Sequence, residues 1–192
     1  MKIGLYFGTF NPVHIGHMAI ANYMVEFTDI RQLWFVISPQ NPFKEEKNLL
    51  KDYHRLEMVI RAIGDDDRFR ASGIEMKLPR PSYTIDTLVY LQEANPNHEF
   101  CLIMGSDNLK HLHKWKNADE ILKNYSILVY PRPGDPINTG ALHPHIRLVN
   151  APLMEISASF IRQAIAENKN ICHFVPSAAY RYLQEMNFYR TM

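Results

Sequence analysis

The chain has 192 residues, of which 46% are hydrophobic, and a formal net charge of +1. That length and apolar content can bury a sizeable core as one domain spanning 1–192. Lys and Arg are scattered without a basic run, which argues against a nucleic-acid binder and a charge-recruited membrane protein, and no apolar stretch is long enough to span a bilayer.

The N-terminus enters an apolar run directly, without a signal-peptide pattern. Cys101 and Cys172 are the only cysteines, and Cys101 sits in the apolar run Phe100–Met104, where a core thiol is expected. Two unpaired cysteines fit a reducing, cytoplasmic setting.

Taken in order, apolar runs alternate with amphipathic ones. Ile3, Leu5, Tyr6 and Phe7 read as a buried strand, broken by Gly8, with a turn at Asn11-Pro12. Val13, Met18, Ala21, Met24 and Val25 recur near helical spacing, which predicts a helix over 15–28. Leu33–Ile37 reads as a strand and 38–50 as a polar loop that holds Lys44. Asp52 is expected to cap a helix with Leu56, Val59, Ile60 and Ile63 on one face. Residues 69–76 read as strand, 83–94 as helix, 99–104 as strand, 117–123 as helix and 125–130 as strand. A proline-rich loop over 131–144 precedes a last strand at 146–149 and helices at 158–168 and 177–187. Strands separated by helices imply an α/β fold: a Rossmann-like, doubly wound parallel sheet with helices on both faces. Ligands then bind at the carboxyl edge of the sheet, where Gly8, Ser38 and Gly105 fall.

The first turn has a chemical consequence. The opening N–H groups of a helix lack internal partners and carry the positive end of its dipole, which suits phosphate. Gly8 lets the backbone approach an anion closely. His14 and His17 are spaced to project from one side of the starting helix. Neither G-x-G-x-x-G nor a P-loop is present. Zinc is the alternative use of the histidine pair, but no third ligand lies nearby in sequence. His111-x-His113 and His143-x-His145 read as surface residues.

Gly8-Thr9-Phe10-Asn11-Pro12-Val13-His14-Ile15-Gly16-His17 resembles the first signature of the nucleotidyltransferase superfamily. Ile156-Ser157-Ala158-Ser159-Phe160-Ile161-Arg162 resembles its second. Between them, Pro81-Ser82-Tyr83-Thr84, Gly105-Ser106-Asp107-Asn108-Leu109 and Trp115 resemble the nicotinate-nucleotide adenylyltransferases. The chain departs slightly from the pattern: Phe7-Gly8 stands where many members have two glycines, and Asn11 where Asp is frequent.

The resemblance implies transfer of the adenylyl group of ATP to nicotinate mononucleotide, giving deamido-NAD and pyrophosphate. A phosphate nucleophile is already deprotonated near neutral pH, so no general base is required and positioning, charge neutralisation and metal assistance suffice, with in-line attack on the α-phosphate and no covalent enzyme intermediate expected. By resemblance His14 and His17 contact the ATP phosphates, with His17 on the α-phosphoryl group, and Arg162 holds the β- and γ-phosphates. Gly8, Thr9, Phe10, Ile156, Ser157 and Ser159 complete the phosphate contacts, and Ser157 and Ser159 also suit helix capping. Gly105, Ser106 and Asp107 lie by the adenosine. Ser82, Tyr83, Thr84 and Trp115 form the acceptor site, Trp115 stacking on the pyridine ring; by itself a tryptophan is more often a core residue. Lys44 is expected to reach a phosphate or to be a solvated loop residue. Mg²⁺ is the implied cofactor, carried by ATP, so no protein metal ligand is expected. The partners expected are these two substrates, with no nucleic acid and no membrane; a homo-oligomer is left open. The rivals are an amide-preferring or pantetheine-phosphate or cytidylyl-transferring relative, a silent nucleotide sensor, and a dehydrogenase.

Overall fold

The computed structural model describes residues 1–39, 49–135 and 142–190. Six strands form one sheet in the order β3-β2-β1-β4-β5-β6. They are β1 (Lys2–Gly8), β2 (Gln32–Ile37), β3 (Phe69–Ser72), β4 (Glu99–Gly105), β5 (Ser126–Tyr130) and β6 (Ile146–Leu148), and every neighbouring pair is parallel. The helices are α1 (Ile15–Phe27), α2 (Asp52–Ile63), α3 (Thr84–Ala94), the short α4 (Ser106–Leu109), α5 (Ala118–Asn124), α6 (Ala158–Ala166) and α7 (Ser177–Glu185).

The central strands β1, β2, β4 and β5 are apolar along most of their length because both faces are covered, while the edge strands β3 and β6 carry Arg70 and Arg147. Successive side chains point to opposite sides. Tyr6, Leu33, Phe35, Ile37, Cys101, Ile103, Leu128 and Tyr130 enter one core, shared with Ile20 and Met24 of α1, Met58 and Val59 of α2, Ile161 of α6 and Leu183 of α7. Ile3, Leu5, Trp34, Val36, Phe100, Leu102, Ile127 and Val129 enter the other, shared with Ile85 and Leu88 of α3 and Ile121 of α5. This is the doubly wound arrangement. The chain leaves β1 for β2 on one side and later returns beside β1 as β4, so a crevice opens at the carboxyl edge between them.

Local departures from the sequence reading have physical causes. The stretch 69–76 is strand only over Phe69–Ser72, because Gly73 turns the chain into a 3₁₀ turn, Ile74–Met76, that buries Glu75. Asp52 is not the cap of α2: Lys51 holds that position, while Asp52 opens the helix and spends its oxygens on Arg55 and Arg80. Ser157 does cap α6, its Oγ accepting from the Phe160 N–H at 3.2 Å. Cys101 is fully buried, as expected of a core thiol.

Candidate active site

The crevice holds a cavity of about 800 Å³. One end is the turn after β1, with Gly8, Thr9, Phe10, Asn11 and His17 in the wall. The other end is the start of α3 and the segment after α4, with Ser82, Tyr83, Thr84, Trp115 and Lys116. Asp107 and Arg132 line it beyond β4 and β5. His14 and Ile156 face a small adjoining cleft that also touches His17 and Arg132.

The first turn is built around an aromatic ring. Phe10 has a φ of +45°, the left-handed region that a bulky residue enters at a cost. Its ring folds back over Gly8 and is 2% exposed. A Cβ at residue 8 would lie 2.9 Å from that ring, so the Phe10 ring by itself accounts for glycine there. The ring meets Tyr6 edge-on at 5.7 Å and His17 at 5.0 Å between centroids. Tyr6 and Tyr130 share a hydroxyl hydrogen bond of 3.1 Å beneath.

His14 precedes α1 and His17 lies in its first turn, and their rings stack at 3.6 Å. The His14 backbone N–H donates to Nδ1 of His17 at 3.2 Å. A nitrogen that accepts carries no proton, so neutral His17 has its proton on Nε2. Burial pushes the His17 imidazole well below its usual pKa, aided by His14 and by the Arg132 guanidinium. Burial first and Arg132 second bring His14 down to about 4. Both rings are therefore neutral at pH 7, and His14 Nδ1 is buried without a hydrogen-bond partner. An unpartnered polar atom in a dry wall favours an incoming ligand that can partner it.

The second signature approaches from α6. Arg162 donates through Nη1 to the Asn11 carbonyl at 2.7 Å, tying α6 to the first turn. Ser157 and Ser159 join by their hydroxyls at 3.1 Å. Beyond β4, Gly105 is needed for close approach: a Cβ there would lie 2.4 Å from Asp107 Oδ1 and 2.8 Å from Arg132 Cγ. Ser106 Oγ accepts from the Arg132 N–H, and Arg132 Nε stands 3.5 Å from Asp107 Oδ1. The structure thus gathers Gly8, Thr9, Phe10, His17, Asp107, Ser82, Tyr83, Thr84 and Trp115 in one wall, with His14 and Ile156 adjoining. Arg162, Gly105, Ser106, Ser157 and Ser159 stand outside the lining, and Lys44 lies outside the described residues.

Three charged residues escaped the sequence reading. Arg132 lines both the cavity and the cleft, so it is the guanidinium nearest the histidine pair in electrostatic effect. Glu75 is buried on the side of Tyr83 and Thr84, where Thr87 Oγ1 donates to it at 2.8 Å; burial raises its pKa against the bonds from Ser38 and Thr87. Arg55 is buried behind the first turn. Among the described residues no group of His, Cys, Asp or Glu forms a metal site.

A parallel doubly wound sheet with two imidazoles and a helix N-terminus at the switch-point crevice is the arrangement of an α/β nucleotide-binding fold, and comparison with known proteins makes it a nucleotidyltransferase. A family model described as cytidylyltransferase-like matches residues 5–164. A protein of Flavobacterium johnsoniae named probable nicotinate-nucleotide adenylyltransferase is 52% identical over 192 residues, covering 99% of this chain and 100% of the relative. One of Bacteroides thetaiotaomicron with the same name is 45% identical over 185 residues, covering 96% and 92%. Nicotinic acid mononucleotide adenylyltransferase of Plasmodium falciparum, solved in complex with NaAD, shares the fold with a TM-score of 0.81 at 20% identity, covering 98% of this chain and 97% of that one. The chain belongs to the cytidylyltransferase-like family and, within it, to the nicotinate-nucleotide adenylyltransferases.

Proposed function

We propose that the chain transfers the adenylyl group of MgATP to nicotinate mononucleotide, forming deamido-NAD and releasing pyrophosphate in NAD biosynthesis. The observation that carries this reading is the single cavity joining a phosphate-suited turn to an aromatic, helix-headed acceptor pocket. An oxygen of the mononucleotide phosphate attacks the α-phosphorus in line. The new O–P bond forms as the bond to the β-bridging oxygen breaks, and pyrophosphate leaves with the electron pair. Because the nucleophile is already anionic, no general base is required, which agrees with imidazoles held neutral by burial.

His17, with its proton on Nε2, donates to the α-phosphoryl oxygen where charge builds. His14, the Phe10 N–H and the N-terminus of α1 add further donors. Arg162 keeps one nitrogen on the Asn11 carbonyl and offers the rest to the β- and γ-phosphates. Asp107 accepts from the ribose hydroxyls. Mg²⁺ enters as part of the nucleotide and offsets phosphate charge.

For the acceptor, Trp115 stacks on the pyridine ring. Thr84 and the first N–H groups of α3 receive its carboxylate, since a helix start favours an anion. Lys116, 4.7 Å from the Tyr83 ring, adds positive charge on the same side. These groups favour the acid over the amide.

The test is pyrophosphate release from MgATP with nicotinate mononucleotide and nicotinamide mononucleotide in parallel. Preference for the acid is expected. Preference for the amide would overturn the acceptor pocket, and no release with either would overturn the reaction.

A further inference from the structure

Arg55 lies on α2, behind the cavity wall, and is 0% exposed. A buried charge persists only where it is paired and its donors are satisfied. Its Nη1 donates to the Thr9 carbonyl at 2.6 Å and the Ser38 carbonyl at 2.8 Å. Nη2 donates to the Pro39 carbonyl at 3.0 Å and to Asp52 Oδ1 at 2.6 Å, and Nε to the Leu50 carbonyl at 3.0 Å.

The position of these acceptors matters. Thr9 follows β1 and Ser38 follows β2, so their carbonyls sit at the edge where an anion is expected. A carbonyl oxygen facing a triphosphate would repel it. Held on Arg55, these oxygens turn away from the cavity. In a trans peptide the C=O and the next N–H point in opposite directions. Fixing the Thr9 carbonyl therefore sets the Phe10 N–H on the side away from Arg55. The positive φ of Phe10 is unfavourable by itself and needs such a hold.

We propose that Arg55 is a positioning residue for adenylyl transfer: it aims the Thr9–Phe10 peptide so that its N–H meets the ATP phosphates, and it withdraws the Thr9, Ser38 and Pro39 carbonyls from them. This rests on the reading of the first turn as the phosphate site. Asp52 holds Arg55 in turn, and its second oxygen accepts from Arg80 at 2.7 Å.

The experiment compares the full-length wild-type chain with Arg55→Lys and Asp52→Asn. Lysine keeps the charge but cannot span these acceptors with a fork. Each protein is first shown to be folded at the assay temperature by circular dichroism. ATP affinity is then read by calorimetry without acceptor, and kcat and both KM values by pyrophosphate release. Arg55→Lys is expected to weaken ATP binding and lower kcat by about 10-fold each, with KM for nicotinate mononucleotide within about twofold. Asp52→Asn should shift the same quantities less. Unchanged ATP affinity and kcat in folded Arg55→Lys would overturn the inference, as would equal losses for both substrates, which mark a merely structural role. If Arg55→Lys does not fold, unchanged ATP affinity in Asp52→Asn overturns it. A wild-type protein that binds ATP yet makes no pyrophosphate would defeat the proposed reaction, while the affinity comparison would still decide the role of Arg55.

Discussion

The two ends of the cavity are built on opposite principles. At the first turn the supporting groups are buried and locked: Phe10 is 2% exposed, His14 is 4% exposed, and Arg55 and Arg162 grip backbone carbonyls there, while His17 and Thr9 are partly buried where they face the cavity. At the acceptor end Ser82, Tyr83, Thr84 and Trp115 are only partly buried, and Lys116 stands in solvent, paired with Asp86 at 2.9 Å. On the proposed function the difference follows from what each end would do. Stabilising charge on phosphorus needs preorganised donors in a dry wall, where they act at low dielectric. Recognising a flat pyridine needs a face and a carboxylate receiver, which can stay wet without much loss.

The contrast is broken most severely by His17→Ala. Removal of a preorganised donor should lower kcat by about 10² or more. A folded variant with near wild-type kcat would show that the buried end does not carry the chemistry. Next in size is an effect of pH on stability. His14 has a folded pKa of about 4 against an unfolded value of 6.5, so the unfolded chain binds more protons in that window. Its contribution is complete above pH 6.5 and is lost as pH falls towards 4. At pH 5 the loss is about 2 kcal/mol. Between pH 7 and pH 5 the unfolding free energy of wild type, from denaturant titration, should fall by that increment more than that of His14→Gln; parallel falls in the two proteins would remove His14 as the cause. Trp115→Ala should then raise KM for nicotinate mononucleotide by about 10-fold while leaving KM for ATP within about twofold, because a stacked aromatic contributes on the order of 1 kcal/mol or more. Equal effects on both substrates would place the ring in the core.

The fold was legible because strands and helices announce themselves by composition and period. Leu33–Ile37 and Phe100–Met104 are unbroken apolar runs, as a sheet covered on both faces demands. The first turn was legible because Gly8, Asn11-Pro12, His14 and His17 fall within one short stretch. Arg55, Arg132 and Glu75 were not. Each reads in sequence as an ordinary charge, Arg55 on a helix, Glu75 at the end of an expected strand and Arg132 in a loop, and each is placed by partners remote in the chain: Thr9 and Ser38 for Arg55, Asp107 for Arg132, Thr87 for Glu75. Hydrogen bonds between distant segments leave no period to read. The early end of β3 belongs to the same class, since the turn at Gly73 serves the burial of Glu75.

The mildest way to sharpen the contrast is Lys116→Ala. Its ammonium lies over the Tyr83 ring at 4.7 Å and pairs with Asp86, and its side chain is 43% exposed. An exposed pair of this kind contributes a few tenths of a kcal/mol and is screened by salt. What the substrate gains from Lys116 should therefore be small: KM for nicotinate mononucleotide is expected to rise about two- to threefold, with kcat unchanged. The increase should fade when ionic strength is raised from about 0.05 to 0.5 M, because solvent-exposed charges more than a Debye length apart cease to feel each other. The kcat defect of His17→Ala should persist over the same range, since on the proposed function the His17 hydrogen bond is made to bound substrate that fills the cavity. If the defect at His17 fades with salt as the Lys116 effect does, the phosphate end is as wet as the acceptor end, and the neutral imidazoles of His14 and His17 need a cause other than burial.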